Sequence, residues 1–278
     1  MSAAGTELAR LDFTLTPFSE QMHRVTPDSP LTPAGTGNQC VMLQNGYLEF
    51  LTPLADTPNA RQLRAAMARY TGVHLLAFGT DDAHTSHAQL VAGDFAPLPP
   101  LSLQREVGSV DGTATARFTV VRVPPDAMSE GRIQYCQHHT RDVVWQPRWL
   151  NHANGATGLA GVVIAASNPD DTARRYEHFT GLPARPHGAG WRIATARGYV
   201  LITSAQALEA TLGLTAPALP WIAGYVIESS NMKQTRAQLA STNTRTVGDG
   251  VLVTLSSALG GFMLFAAAGS EPIAINGN

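Results

Sequence analysis

One short segment of the sequence carries three side chains that could act together chemically. Gln134, Cys136 and His138 occupy alternate positions in the run Gln-Tyr-Cys-Gln-His. Alternate residues of a strand point to the same face of a sheet, so an amide, a thiol and an imidazole would lie side by side. An imidazole so placed can move a proton near neutral pH or bind a metal ion. The alternative for His138, and for the adjacent His139, is an ordinary polar strand end.

A carboxylate and two arginines are further candidates. Glu49 interrupts the apolar run Tyr-Leu-Glu-Phe-Leu, and a buried carboxylate without a partner is costly. We therefore expect Glu49 to contact a ligand or to pair with an arginine. Arg117 and Arg122 lie five residues apart in one predicted strand and so face opposite sides. Arg117 is the candidate contact to an anionic substrate or to Glu49, unless it faces solvent.

The sequence gives no indication of a catalytic nucleophile or of a nucleotide-binding site. Cys40 and Cys136 fall in predicted strands, where a buried and unreactive thiol is the better interpretation. They show no Cys-x-x-Cys spacing, which favours a reduced, cytoplasmic protein. The sequence contains no glycine-rich phosphate loop, no nucleophile elbow and no His-Glu-x-x-His motif.

The elements that would position these residues form an internal repeat. A glycine opens an apolar, strand-like run four times, at Gly46, Gly131, Gly198 and Gly261. Each glycine is predicted to open the last strand of one repeated unit. Another strand precedes each run and predicts a hairpin, at residues 37–43, 115–123, 190–196 and 251–256.

Three of the units also begin with an apolar strand that leads into a helix. The strands are predicted at 73–78, 160–165 and 223–228, and the helices at 83–92, 169–179 and 231–241. Asn168 before Pro169 is a helix N-cap, and Asp170 and Asp171 fall in the first turn, where the helix dipole favours anions. The sequence thus predicts an α+β protein of four βαβββ-like modules.

The first module is incomplete. Its helix corresponds to residues 3–11, and no apolar strand precedes that helix. Either the chain starts late or the edge strand has been lost, and we favour a late start. Pro147 and the polar, turn-forming run from Asn151 predict a boundary at 149–158, which divides the chain into domains 1–150 and 151–278.

Composition limits the class of protein. The 278 residues are 44% hydrophobic and only 14% charged, with a net charge of −2. Such a chain buries real cores, and its low charge favours hidden surface, which in a homodimer would include a subunit contact. Without a Lys/Arg run, nucleic acid is not an expected partner. No stretch of about 18 apolar residues predicts a membrane span, and a small-molecule ligand is the expected partner.

Two motifs resemble the glyoxalase-like branch of the vicinal oxygen chelate superfamily. The first runs from Gly35 (Gly-Thr-Gly-Asn-Gln-Cys-Val-Met-Leu) to the strand opened by Gly46. The second contains His138-His-Thr, Val144-Trp-Gln-Pro-Arg and His152-Ala-Asn-Gly. The resemblance covers residues 8–183 directly. It implies that modules pair into two open-cup domains, and it leaves the reaction open, since a fold hosts many functions.

The resemblance also implies a metal site formed by first and last strands. The matching positions are Glu49, His74 and Gln134, with a divalent ion such as Zn, Fe, Ni or Mn. The strand that would supply a fourth ligand is absent, and His138 is a candidate to replace it. The same positions in the second half cannot bind a metal, and they are Gly161, Leu201, Gly224 and Leu264.

The function implied is that of a metal-dependent lyase, isomerase or dioxygenase acting on a small oxygen-rich molecule in the first cup. Glu49 and His138 are then the catalytic candidates, and Arg117 and Trp145 the substrate contacts, although Trp145 is more typical of a closing wall or a domain seam. Two alternatives stay open. One is a metal-free protein that binds a small molecule, as resistance members of the superfamily do, and the other is a non-catalytic remnant of the fold.

Overall fold

A computed structural model of the chain describes residues 2–23, 30, 32–110 and 112–273. Its first half contains one incomplete and one complete module. The elements of the first module are α1 (Ser2–Arg10), β1 (Ser19–His23), β2 (Thr32–Met42) and β3 (Tyr47–Pro53). The linking helix α2 (Pro58–Met67) leads to β4 (Leu75–Gly79), α3 (Ala83–Ala92), β5 (Leu101–Ser109), β6 (Gly112–Arg122) and β7 (Arg132–His138).

The second half contains two complete modules. Helix α4 (Arg141–Val144) and a short 3-10 helix (Pro147–Trp149) lead into it. The third module comprises β8 (Ala156–Ala166), α5 (Pro169–Thr180), β9 (Ala184–His187), β10 (Gly190–Thr195) and β11 (Gly198–Ser204). After α6 (Ala205–Leu212) the fourth comprises β12 (Trp221–Ser229), α7 (Met232–Leu239), β13 (Thr244–Val247), β14 (Gly250–Thr254) and β15 (Phe262–Ala267).

Each complete module has the same strand order, in which the first strand pairs in parallel with the last. The orders are β4-β7-β6-β5, β8-β11-β10-β9 and β12-β15-β14-β13. In the second half, β8 and β12 also pair antiparallel and unite two modules into one eight-stranded sheet. This confirms the predicted α+β architecture of βαβββ modules.

The first half differs because its first module has no first strand in the described residues. The sheet β1-β2-β3 and the sheet β4-β7-β6-β5 are therefore separate, and no described strand lies between β3 and β4. The two sheets are tied to the second half by single bridges, Asn45 to Gly158 and Val73 to Ile222. The incomplete first module is thus confirmed.

The repeated glycines have a steric reason. A Cβ on Gly131 would lie 2.4 Å from the carbonyl oxygen of His74, and one on Gly261 would lie 2.2 Å from that of Ala223. In both cases the obstacle is the backbone of the module's first strand, which cannot move aside. Only glycine lets the last strand begin beside the first, and this explains the spacing pattern in the sequence.

Helix ends follow local rules. The side chain of Asn168 accepts a hydrogen bond from Asp171 N at the start of α5, as predicted, and α5 ends at Gly181 with φ of 67°. With 12 residues α5 is the longest described helix, and none of the described helices is long and apolar enough to cross a membrane.

The two halves pack together through their helix-bearing faces. In one shared core, the ring of Tyr135 on β7 stacks on Phe179 of α5 at 5.2 Å, and the Tyr135 hydroxyl donates to the Phe179 carbonyl. In the other, Leu8 and Phe13 of the first module pack with Phe265 of the fourth. Burial of apolar surface across both contacts holds the halves together.

The predicted boundary segment is buried rather than an open linker. Asn154 has 0% exposure and donates from Nδ2 to the Leu11 carbonyl at 2.7 Å. His152 accepts from Thr14 N at Nδ1 and donates from Nε2 to the Met42 carbonyl. The polar residues of this segment satisfy backbone groups of the first module. The division into residues 1–150 and 151–278 stays a prediction.

Candidate functional site

The candidate site is the first cup, which we define as the space between the sheet β1-β2-β3 and the sheet β4-β7-β6-β5. Side chains from both sheets meet there. The rings of Tyr47 on β3 and His138 on β7 have their centroids 5.9 Å apart. Arg105 on β5 donates from Nη1 to Asn38 Oδ1 on β2 at 3.5 Å. The cup is therefore bounded by the last strand of each module.

Alternation along β7 decides which side chains enter the first cup. Ile133 and Tyr135 lie in the core shared with α5, and Gln137 accepts from Ala83 N at the start of α3. The intervening residues face the other way, into the cup. They are Arg132, Gln134, Cys136 and His138.

Glu49 is held by two amides. Its Oε1 accepts hydrogen bonds from Gln21 Nε2 at 3.2 Å and from Asn38 Nδ2. The carboxylate has partners, as expected, but they are neutral side chains of β1 and β2. Burial lowers the pKa of Arg132, and the negative charge of Glu49 partly offsets that effect.

The register of the strands corrects the position assigned to His74. Leu75, not His74, pairs with the residue after the module glycine, Arg132. In the third module Gly161 pairs with Tyr199 in the same way. Leu75 is thus the counterpart of Gly161, and His74 lies one residue earlier, before β4 begins.

The contacts of His74 also lie away from Glu49. Its Nε2 is 2.8 Å from the Tyr70 carbonyl, and the two rings are 4.2 Å apart. Burial lowers the pKa of His74, and the charge that lowers it further is Arg69 rather than Glu49. The structure therefore joins His74 to the loop after α2 and does not bring it together with Glu49.

Gln134 and Arg122 form a cross-strand pair at the polar end of the first cup. They are Cα partners in the ladder between β7 and β6. Gln134 is 8% exposed, and its Oε1 has no hydrogen-bond partner among the described residues. Arg122 Nε is likewise enclosed without a described partner. Two groups with hydrogen-bonding capacity thus face the cup unpaired.

His138 lies at the aromatic end of the first cup. Ring centroids of Phe118 and Trp145 are 5.1 and 4.9 Å from that of its imidazole. Burial, and then the charge of Arg141, lower the pKa of His138 to about 4, so the imidazole is neutral at neutral pH. Its Nε2 is buried without a described partner. A neutral imidazole there can accept a proton or a hydrogen bond.

Two other residues named as candidates take different positions. Trp145 closes the aromatic end, since its Nε1 donates to the Leu43 carbonyl at 2.9 Å and its ring packs on Tyr47. Arg117 is exposed and lies on the face of β6 opposite Phe118, so it does not enter the cup. The arginine of β6 that enters the cup is Arg122.

The two thiols are unreactive. Burial raises the pKa of Cys40 to about 12 and that of Cys136 to about 12, and the charge of Glu49 acts in the same direction on both. A thiol with such a pKa is a poor nucleophile and a poor metal ligand at neutral pH.

The donor groups of the first cup do not fit the metal site that the family resemblance implies. In the part of the chain that the structure describes, no three His, Cys, Asp or Glu side chains come together in a way that could hold a metal ion. Oε1 of Glu49 accepts hydrogen bonds from two amides, and Nε2 of His74 is hydrogen-bonded to the Tyr70 carbonyl. Gln134 contributes an amide oxygen, which is a weak ligand.

The second cup, the face of the eight-stranded sheet that carries α6, is filled by its own chain. Leu201 and Leu264, the third residues after the glycines of the third and fourth modules, are buried. Leu208 and Leu212 of α6 pack against them. At the rim a cavity of about 230 Å³ stays open, lined by Pro183, Arg185, Pro186, His187, Arg192, Ala194 and Glu271.

Comparison with known proteins agrees with this fold. A protein of Staphylococcus aureus described as hypothetical aligns with 91% of this chain and 90% of its own, at 9% identity and a TM-score of 0.59. A mutant of 4-hydroxymandelate synthase from Streptomyces coelicolor aligns at 13% identity, a TM-score of 0.54, and 98% and 90% coverage. An Mn(II)-bound glyoxalase from Novosphingobium aromaticivorans aligns at 10% identity, a TM-score of 0.51, and 98% and 79% coverage.

At such low identity the structural matches show the fold alone. No curated protein matches the chain in sequence. A family model for a glyoxalase-like domain, however, matches residues 3–180, which is more than half of the chain. The chain therefore belongs to the glyoxalase-like domain family of the vicinal oxygen chelate superfamily.

Proposed function

We propose that the first cup binds a small, oxygen-rich molecule through hydrogen bonds and charge, without a protein-bound metal ion. The observation that carries this proposal concerns Gln134 and Arg122, which face the cup side by side. Oε1 of Gln134 and Nε of Arg122 have no hydrogen-bond partner among the described residues. Buried polar groups without partners are costly, so such a pair is expected where a ligand completes the hydrogen bonds. The alternative role, a structural remnant, offers no reason to keep these groups polar.

The charge of the first cup supports metal-free binding. Three arginines, Arg105, Arg122 and Arg132, face it together with one carboxylate, that of Glu49. A divalent cation would have to bind against this positive excess. A ligand rich in oxygen atoms would be attracted by it.

A metal-dependent lyase, isomerase or dioxygenase is the second candidate. The observation that favours it is the neutral imidazole of His138, whose Nε2 is unpaired in the described cup. With Glu49 and Gln134 it would supply three donors to a divalent ion, which would act as a Lewis acid on substrate oxygens. In this candidate Glu49 would bind the ion through Oε2, because its hydrogen bonds with Gln21 and Asn38 are both made by Oε1.

Metal analysis distinguishes the two candidates. The full chain is purified without chelator, analysed for bound Zn, Fe, Ni and Mn, and unfolded by heat with and without EDTA. We expect less than a stoichiometric amount of metal and an unchanged Tm, because the described donors do not assemble. One equivalent of metal that is lost in Glu49→Gln but kept in Glu106→Gln, an exposed control on β5, would contradict the proposal.

Small-molecule binding is tested directly with a neutral probe. Pyruvamide has two neighbouring oxygen atoms and no charge. We expect it to bind the full chain weakly and to compete for the first cup, so that Gln134→Leu reduces its affinity. Absence of binding by pyruvamide and by pyruvate alike would sink the proposal for small oxygen-rich molecules of this kind.

A further inference from the structure

The modular repeat places an arginine at the same position of the second and the third module. Arg122 on β6 pairs with Gln134, the third residue after Gly131. Arg192 on β10 pairs with Leu201, the third residue after Gly198. The two arginines are therefore counterparts, one in each cup.

In the second cup the chain itself neutralises this arginine. Arg192 Nε lies 3.5 Å from Glu271 Oε1, and its guanidinium is 4.6 Å from the centroid of the Tyr199 ring. The carboxylate follows β15 in the chain and reaches the rim of the cup. Arg192 thus has an opposite charge and an aromatic face, the two environments that favour a partly buried guanidinium.

In the first cup Arg122 has neither an opposite charge nor an aromatic face among the residues that the structure describes. Arg132 takes the place of Tyr199, since each follows its module glycine and begins the last strand. The charge that acts on Arg122 is that of Arg132, a second cation whose Nη2 donates to Gln62. Two partly buried cations side by side repel each other until an anion joins them.

We propose that the first cup recognises the carboxylate of its ligand, bound by Arg122 and Arg132 in the place that Glu271 takes in the second cup. This rests on the proposed function and names the class of ligand, a small organic acid. A planar carboxylate fits the fork of a guanidinium through two parallel hydrogen bonds. The unpaired oxygen of Gln134 then accepts a hydrogen bond from a donor group of the same ligand.

Pyruvate and pyruvamide form a pair of probes that share the methyl ketone, and a neutral amide with N–H donors replaces the carboxylate in pyruvamide. Titration of the full chain should show that pyruvate binds at least about tenfold more tightly, the difference expected for a charge-assisted hydrogen bond. Arg122→Gln should remove this preference, because it lowers the affinity for pyruvate much more than the affinity for pyruvamide. Arg192→Gln, the matched control in the other cup, should leave both affinities unchanged.

Other outcomes would overturn the inference without touching the proposed function. Equal affinities for the two probes, or an unchanged preference in a folded Arg122→Gln variant, would show that no carboxylate is recognised there. If inorganic phosphate binds as tightly as pyruvate, the site recognises oxyanions in general and not a carboxylate in particular. Pyruvamide binding would in each case keep the cup as a small-molecule site.

A second variant tests the equivalence of the two arginines and does not depend on the folding of Arg122→Gln. Glu271→Gln removes the internal carboxylate from Arg192 and leaves the cavity of about 230 Å³ beside it. We expect the number of pyruvate molecules bound per chain to rise from one to two. A stoichiometry that stays at one would overturn the equivalence from which the inference starts.

Discussion

The two cups are built from the same module, and they differ in what their last strands present to the interior. In the second cup Leu201 and Leu264 lie in one apolar cluster with side chains of α6. In the first cup the same positions carry Gln134 and Glu49, and the helix that follows β3 offers polar contacts instead. Gln62 of α2 accepts from Arg132 Nη2 at 2.6 Å.

The difference lies in the third residue after each module glycine and in the helix near it. Leucine at the third position pairs with an apolar helix such as α6, whose Leu208 and Leu212 are buried. In the first cup the neighbouring helix is α2, in which Ala60 is the buried residue. The predictions below probe this contrast.

The largest expected effect is on the second cup. Leu201→Ala removes a side chain that is 1% exposed, so we expect a loss of about 2–5 kcal/mol in the free energy of unfolding. Gln134→Ala, at the same position of the first cup, should cost less than half as much. Urea unfolding of both variants measures this, and equal losses would abolish the distinction between a packed and a ligand-accessible cup.

The next effect concerns the pH dependence of stability. The pKa of His138 is about 4 in the folded protein and near 6.5 when unfolded, so the unfolded chain binds more protons between these values. Stability is full above about pH 6.5 and falls as pH drops toward 4, by roughly 1–2 kcal/mol after allowance for partial solvent access. Burial also lowers the pKa of His74 and of His152, which act in the same direction.

Urea unfolding at pH 7 and pH 5 measures this loss. In His138→Phe the loss in free energy of unfolding between pH 7 and pH 5 should be smaller, because only His74 and His152 still contribute to it. A loss of equal size in the variant would show that the imidazole of His138 is solvated and that the aromatic end of the first cup is open.

A smaller effect of opposite sign is expected from Gln134→Leu. The substitution removes a buried amide oxygen without a described partner and supplies the residue that the second cup has. We expect the free energy of unfolding to rise by up to about 1 kcal/mol. The reciprocal Leu201→Gln should lower it. If Gln134→Leu is strongly destabilising, the amide is a structural group and not a ligand contact.

The smallest effect is expected outside the cup. Arg117→Ala alters an exposed side chain on the far face of β6, so its stability should change by less than about 0.5 kcal/mol. Pyruvate affinity should be unchanged as well. If Arg117→Ala loses pyruvate binding, Arg117 contacts the ligand, and the orientation of β6 that places Arg117 opposite Phe118 is wrong.

The sequence predicts the repeat because its cause is local. A glycine is required wherever a last strand starts against a first strand, as at Gly131 and Gly261, and such a requirement leaves a mark in the sequence. Helices α3 and α5 are predictable for a similar reason, since Asp82 and Asn168 cap them. The edge strands β1, β5, β9 and β13 escape prediction because much of their surface is exposed and pairing defines them.

The candidate site is less predictable because it depends on register. His74 and Leu75 are neighbours in the sequence, and only the pairing with Arg132 shows which of them matches Gly161. The equivalence of Arg122 and Arg192 is hidden too, since the turns between these arginines and their module glycines differ in length. Each arginine is recognisable only through its partner across the ladder.

The bridges at Asn45 and Val73 give the second half a mechanical role. No described strand joins β3 to β4, so the distance between the two walls of the first cup is not set by a continuous hydrogen-bonded ladder of its own. It is set where β3 begins beside β8 and β4 begins beside β12, on a sheet of eight strands. The eight-stranded sheet of the second half thus sets the distance between the two walls of the first cup. A change in the pairing of β8 with β12 would therefore change the distance between the two walls of the first cup, although no residue inside the cup is altered.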